Sequence, residues 1–215
     1  MIVDVEFLLI GKQLPVDHGY LLSSAIATII PQIHGDQSVG IHAINGSYIG
    51  NRLQLVTPKS ILRIRIDATR VHEVLSLAGK TLHMGSHNIH VGVPMIRSLT
   101  PTAKVYSRLV VIKGFTEPDT FLEAARRQIE ELGIKGNPVL IDHNNEASMG
   151  SYGVDTGTRS KFLRRTIRIH DKEIVGFALR VDNLQNHESL QLQEKGIGGR
   201  RRFGCGLFLP IIRKG

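Results

Sequence analysis

Leu99-Thr100-Pro101-Thr102-Ala103-Lys104-Val105-Tyr106-Ser107-Arg108-Leu109-Val110-Val111-Ile112-Lys113 is where the pattern of this chain starts again. Pro101 punctuates the end of one series of elements, and Val105 to Lys113 then reads as a new strand. Gly114-Phe115-Thr116-Glu117-Pro118-Asp119 is a helix entry. Phe121, Leu122, Ala125, Ile129 and Leu132 follow at helical spacing, and Gly133 closes the helix. Residues 135–160, rich in Gly, Asn and Ser, predict a long surface loop. Thr166 to Ile169 and Ile174 to Val181 predict a hairpin, Asn186 opens a short helix, and Cys205 to Ile212 predicts a last strand. The order is strand, helix, strand, strand, helix, strand.

Upstream of Pro101 the order is similar. Val3 to Ile10 reads as a buried strand ending at Gly11. Asp17 can cap a helix through Leu21, Leu22, Ala25, Ile26, Ile29 and Ile30, which Pro31 stops. Val39 to Ile44 and Leu53 to Val56 read as strands, with Gly50-Asn51 as a turn signal between them. Ile61-Leu62-Arg63-Ile64-Arg65-Ile66 alternates with period two, so one face is apolar and the other basic. A short helix from about Thr69 to Ala78 ends at Gly79, and Leu82 to Ile96 supplies one or two more strands. A βαββαβ unit used twice predicts an α+β fold of two tandem ferredoxin-like domains, residues 1–100 and 101–215, a layout related to common RNA-binding sheets.

Charge is distributed unevenly over these halves. The chain carries 27 Lys and Arg against 19 Asp and Glu. Residues 1–158 hold 14 basic and 14 acidic side chains, whereas 159–215 hold 13 and 5. The whole surplus of +8 therefore lies in the last quarter, which is the footprint expected of a polyanion-binding surface. Within it lies Gly196-Ile197-Gly198-Gly199-Arg200-Arg201-Arg202-Phe203-Gly204-Cys205-Gly206. Gly196, Gly198, Gly199, Gly204 and Gly206 permit positive φ and close backbone approach, and Arg200, Arg201 and Arg202 offer bidentate phosphate donors. The loop joins the last helix to the last strand. A dinucleotide-binding turn lies after a strand and before a helix, and a P-loop ends in Gly-Lys-Ser/Thr, so neither reading fits. Arg164, Arg165 and Arg168 on a neighbouring strand are further candidate phosphate contacts.

With 41% hydrophobic residues, 215 residues can bury one large core or two small ones. Cys205 is the sole cysteine, which excludes an intrachain disulfide and a cysteine zinc site and suits a reducing, cytoplasmic setting. No apolar run is long enough to span a membrane, and the acidic Met1-Ile2-Val3-Asp4-Val5-Glu6 start is unlike a signal peptide. His83, His87 and His90 flank a Gly85-Ser86 turn, not a helix face, so they read as exposed turn histidines and no metal is expected. Few aromatic side chains are available for base stacking, which shifts the expected recognition to phosphate, 2′-OH and shape contacts.

Three segments carry a resemblance: Leu14-Pro15-Val16-Asp17-His18-Gly19-Tyr20 with its helix and Ile33-His34; Lys113-Gly114-Phe115-Thr116-Glu117-Pro118; and Leu192 through the glycine-arginine loop to Gly206. The chain resembles the CRISPR-associated endoribonucleases that process precursor crRNA, the "Cas six" family of the RAMP superfamily, most closely its Myxan subtype. The resemblance implies an enzyme that binds CRISPR repeat RNA and cuts once within it. It does so without a metal or other cofactor, by 2′-OH attack that leaves a 2′,3′-cyclic phosphate and a 5′-OH. The implied partners are repeat RNA, crRNA and other subunits of a CRISPR effector complex, with no membrane, the protein acting as monomer or homodimer. The rival reading is a non-catalytic crRNA-binding scaffold subunit.

That chemistry needs a proton acceptor, a proton donor and charge neutralisation at phosphorus, for which histidine and arginine are suited. His34 is the first candidate, because the resemblance aligns it with the family's catalytic histidine and because it lies in a loop, Gly35 to Gly40, able to present a side chain. His18 at the helix entry and His42 in a strand are further catalytic candidates. Some family members add a tyrosine and a lysine. Here Ala27 occupies the tyrosine-like position and no lysine falls between Lys12 and Arg52, so a histidine paired with an arginine of 200–202 is expected. His34 and the glycine-arginine loop lie in different halves, and the fold must bring them together across a domain interface.

Overall fold

The computed structural model describes residues 1–142 and 161–212. The N-terminal half runs β1 (Ile2–Gly11), β2 (Gln13–Pro15), α1 (Gly19–Ile29), β3 (Gly40–Ile41), β4 (Ser47–Gly50), β5 (Leu53–Leu55), β6 (Ile61–Asp67), α2 (Val71–Leu75), β7 (Thr81–Met84) and β8 (His87–Ser98). Val3, Val5, Phe7 and Leu9 alternate along β1 and are buried, as are Leu62, Ile64 and Ile66 along β6. They meet Leu22 and Ile26 from α1 and Ile30 just after it, Val71 and Val74 from α2, and Leu82, Met84, Ile89 and Val91 from the β7–β8 hairpin. Each such side chain, fully withdrawn from water, contributes about 1.5–3 kcal/mol before the cost of ordering it. The sheet order is β3-β6-β1-β8-β7, with antiparallel neighbours throughout. β1 and the β3 it reaches through α1 are separated by β6, the split βαβ arrangement of ferredoxin-like folds. β2, β5 and β4 form a separate three-stranded sheet.

The C-terminal half repeats this plan with β9 (Val105–Val110), α3 (Pro118–Glu131), β10 (Asn137–Leu140), β11 (Arg164–Ile169), β12 (Lys172–Asp182), α4 (Asn186–Lys195) and β13 (Leu209–Pro210). The order is β10-β12-β9-β13, with β11 also pairing β12. Phe121, Ala125 and Ile129 of α3 pack on Phe177, Leu179 and Val181 of β12 and on Val105 and Val110 of β9. Phe121 and Phe177 meet as tilted rings 4.8 Å apart. Two ferredoxin-like units in tandem are the fold read from the sequence.

Four local expectations change. The last strand shrinks from Cys205–Ile212 to Leu209–Pro210, because Gly204 and Gly206 take φ of 86° and 67° and turn the chain out of extended geometry. The strand at 39–44 reduces to Gly40–Ile41. The loop expected from 135 begins later, since Asn137–Leu140 pairs with Leu179 to Asp182; residues 143–160 of it lie outside the described residues. Asp17 does not cap α1: the N-cap residue is His18, without a side-chain cap, and Asp17 Oδ2 instead accepts the N–H of Arg168 at 2.7 Å from the other domain. A third cluster of Leu109, Val111, Ile167, Phe203 and Cys205, with Tyr20 from α1 packed against it, fills the seam between the halves.

Candidate nucleic-acid interface and active site

The glycine-arginine loop leaves α4 at Gly196, whose N–H bonds Leu192 O, and folds back on β9. Gly199 donates to Val111 O at 3.0 Å and Gly206 to Leu109 O at 2.8 Å, while Gly198 donates to Gln128 Oε1 at 2.7 Å. A Cβ on Gly198, at φ 71°, would collide with the Val111 carbonyl, and one on Gly206 with the carbonyl of Ile197. These glycines therefore let the loop lie against its own protein. Gly204 fits beside the backbone of Ala43, 3.1 Å from where its Cβ would be. Only Gly199 of the five faces open space. The sequence reading credited all five with approach to a ligand; the packing credits most of them with closing the loop onto β9 and the N-terminal domain.

The three arginines part company. Arg200 sits in the left-handed region at φ 69° and is exposed. Arg202 is half-buried and lays its guanidinium over the Phe203 ring, 4.7 Å from the centroid. Arg201 turns inward. Its Nη2 donates to Glu194 O at 2.8 Å and its Nη1 to Lys195 O, so it closes the last turn of α4, and burial brings its pKa down to about 10. Arg201 thus gives Nη1 and Nη2 to the end of the helix.

Phe203 carries the loop onto the N-terminal domain. Its carbonyl lies 2.5 Å from where a Cβ on Gly19 would stand, so the first turn of α1 accepts the loop only because that residue is glycine. The tilted Phe203–Tyr20 ring pair, centroids 5.9 Å apart, supports the same contact. This docking brings the segment after α1 over the loop. Gly35, Asp36 and Gln37 form one wall of a cleft of about 320 Å³, and Gly198 to Phe203 form the other. A Cβ on Gly35 would stand 3.7 Å from Arg202 Nη1. His34, one residue earlier, ends the 3-10 turn Pro31–Ile33. It is exposed, and its ring has no hydrogen-bond partner among the described residues. The two segments that the sequence placed in different halves meet here.

His18 and His42 sit elsewhere. His18 is fully buried: Nδ1 donates to Pro15 O at 2.7 Å and Nε2 accepts the Ile44 N–H at 2.8 Å, which fixes the neutral tautomer. Burial, with Arg108 nearby, pushes its pKa down to about 4. Both ring nitrogens are committed to backbone groups, so His18 ties the start of α1 to the chain after β3. His42 is also buried and is held neutral by burial and by Arg65, Arg63 and Arg201. It borders a different cavity, of about 510 Å³, with Arg63, Arg108 and Leu209. Arg168 is exposed on β11 and Arg164 half-buried. Arg165 is buried, with Nη1 donating to Arg108 O at 3.2 Å and its pKa lowered to about 10 by burial. Arg165, Arg108, Arg52 and Asp17 line the seam between the domains. His83 bonds Asn88 across the β7–β8 hairpin at 2.8 Å, and among the described residues no three His, Cys, Asp or Glu side chains could hold a metal ion.

The basic face read from β6 is not a free surface. Arg63 binds Glu6 at 2.7 Å, and Arg65, with no exposed surface, binds Asp4 through two 2.8 Å hydrogen bonds. The signal lay in β1: Asp4 and Glu6 alternate with the same period as Arg65 and Arg63 and pair with them across the two strands.

The chain joins two ferredoxin-like domains, with a glycine-arginine loop docked between them and the Gly35–Gln37 segment facing it. The family described as Cas6 Crispr matches residues 3–213, and the chain belongs to that family. It is similar to a protein of Myxococcus xanthus (strain DK1622) called CRISPR-associated endonuclease Cas6, with 32% identity over 209 residues, 97% of this chain and 81% of that one. Two solved structures share its fold: one from a Cas6-related gene of Pyrococcus furiosus, at TM-score 0.68, 14% identity and full coverage of both chains, and one titled an RAMP protein binding different RNA substrates, at TM-score 0.67, 11% identity, 98% of this chain and 100% of that chain. Among the described residues no helix is long and apolar enough to cross a membrane.

Proposed function

We propose that this protein is an endoribonuclease that binds CRISPR repeat RNA and cuts precursor crRNA once within the repeat, without a metal ion. The observation that carries the reading is the cleft in which Gly35, Asp36 and Gln37, the residues directly after His34, face Gly198 to Phe203. The name of the Myxococcus relative supports the same class of activity. In the proposed reaction the 2′-oxygen of the scissile nucleotide loses its proton and bonds to the adjacent phosphorus. The bond from phosphorus to the 5′-oxygen then breaks, and that oxygen takes up a proton, leaving a 2′,3′-cyclic phosphate and a 5′-OH. His34 acts as the acid or the base, since its ring is exposed and uncommitted. Arg200 and Arg202 neutralise phosphate charge, as guanidiniums whose five donors are not spent within the protein. Arg168 and Arg164 extend the phosphate contacts along β11. His18, with both ring nitrogens bonded to backbone groups, leaves the catalytic set, His42 leaves it because it is buried beside a different cavity, and Arg201 acts through the end of α4.

The test is an end-labelled repeat transcript incubated with the protein in excess EDTA. The reading expects one cut, with a fragment that phosphatase cannot dephosphorylate until acid opens its cyclic phosphate. RNA bound but left intact would establish the scaffold reading instead.

A further inference from the structure

The buried Asp4–Arg65 pair does more than join two strands. Arg65 Nε and Nη2 are held by Asp4, and Nη1 reaches across the domain boundary to two carbonyls, Gln193 O at 2.7 Å and Phe208 O at 2.8 Å. Gln193 lies in the last turn of α4 and Phe208 immediately precedes β13, so these two acceptors bracket the glycine-arginine loop. One guanidinium on the N-terminal sheet therefore grips both stems of a loop that belongs to the C-terminal domain. The neighbourhood is built for this: a Cβ on Gly40 would lie 2.6 Å from Leu207 Cδ2 and 3.4 Å from Arg65 Cβ. Gln193 is tied down as well, its Nε2 donating to Thr100 O at 2.9 Å in the segment between the domains.

We propose that Arg65, oriented by Asp4, is a positioning residue for RNA cleavage: it fixes the glycine-arginine loop at the distance from the His34 segment that the reaction requires. The inference rests on the nuclease reading. Arg65 is wholly buried and touches no RNA. Its effect is transmitted through the loop stems to Arg200 and Arg202. Lysine cannot reproduce it, because an ammonium cannot hold a bidentate carboxylate and two carbonyls in the planar fork of a guanidinium. A misplacement of about 1 Å at a reacting centre costs on the order of a hundredfold in rate.

The experiment measures single-turnover cleavage and equilibrium binding of the same repeat RNA in EDTA, for the wild-type protein, Arg65→Lys and the double variant Asp4→Leu/Arg65→Met. The double variant replaces the buried pair with apolar side chains, an exchange that commonly keeps or raises stability. Melting curves confirm that each protein is folded at the assay temperature. The proposal expects both variants to cleave at least about tenfold more slowly while their Kd changes less than about threefold. A folded double variant that cleaves at the wild-type rate would overturn it, since burial stability alone would then be Arg65's contribution. Equal losses in binding and cleavage would overturn it too. A wild-type protein that binds without cutting would instead sink the nuclease reading and this inference with it. Should Arg65→Lys fail to fold, the double variant decides.

Discussion

Acidification should reveal the neutral His18 pin. In the folded protein the ring donates to Pro15 O and accepts from Ile44 N, and its pKa is down at about 4, against 6.5 in an unfolded chain. Between those values the unfolded chain binds a proton that the folded chain refuses, so stability falls as pH drops through 6.5 and continues to fall to about 4. Each pH unit in that window costs about 1.4 kcal/mol, so moving from pH 7.5 to pH 5 removes about 2 kcal/mol through this one ring. His42, also held below its ordinary value, acts in the same direction. The assay must therefore compare variants: urea unfolding of the wild type and of His18→Gln across that range. Glutamine does not titrate and leaves one buried backbone partner imperfectly met, which costs about 1–3 kcal/mol at pH 7.5. The gap between the two proteins should narrow by about 2 kcal/mol by pH 5. Parallel curves would refute the reasoning, because they would mean that His18 takes up its proton in the folded state as readily as in the unfolded one.

Gly198→Ala should destabilise the protein by roughly 2 kcal/mol or more, since the new Cβ meets the Val111 carbonyl at a positive φ, whereas Gly199→Ala, which opens onto solvent, should stay within about 0.5 kcal/mol of wild type. Thermal melts separate the two, and equal losses would contradict the packing role given to Gly198. Arg200→Ala and Arg202→Ala should each flatten the dependence of log Kd on log salt by about one phosphate's worth, 0.7–0.9. Arg201→Ala should leave that slope alone and lower the melting temperature, because its guanidinium closes α4. In the EDTA assay, the product should resist phosphatase until its cyclic phosphate is opened.

The repeat of strand, helix, strand, strand, helix, strand could be read from the sequence because alternation along β1, β6 and β12 and helical spacing along α1 and α3 are local properties. Their buried faces are set within each element. The last strand was overestimated for a different reason: Leu207 and Phe208 look strand-like, but the conformation of Gly204 and Gly206 is decided by Ala43 and Ile197, which pack against them. Arg65 read as part of a basic surface because Asp4, Gln193 and Phe208, which bury it, are far away in sequence. Only the matching period of Asp4 and Glu6 hinted at it. The loop from 196 to 206 could be placed between the last helix and the last strand, yet its composition could not show that Arg201 faces inward or that most of its glycines serve packing. His18 and His34 look alike as letters in a sequence. What distinguishes them is burial and hydrogen bonding, which only tertiary structure decides.

In the proposed function, His34 cuts RNA held by the loop across the cleft. The most direct measurement is single-turnover cleavage of labelled repeat RNA by His34→Ala in EDTA, with Kd measured in parallel. His34 is exposed and its ring holds no described partner, so the variant should fold and bind as the wild type does. Its cleavage rate should fall by about a hundredfold or more at nearly unchanged Kd. Cleavage at the wild-type rate would contradict that role for His34.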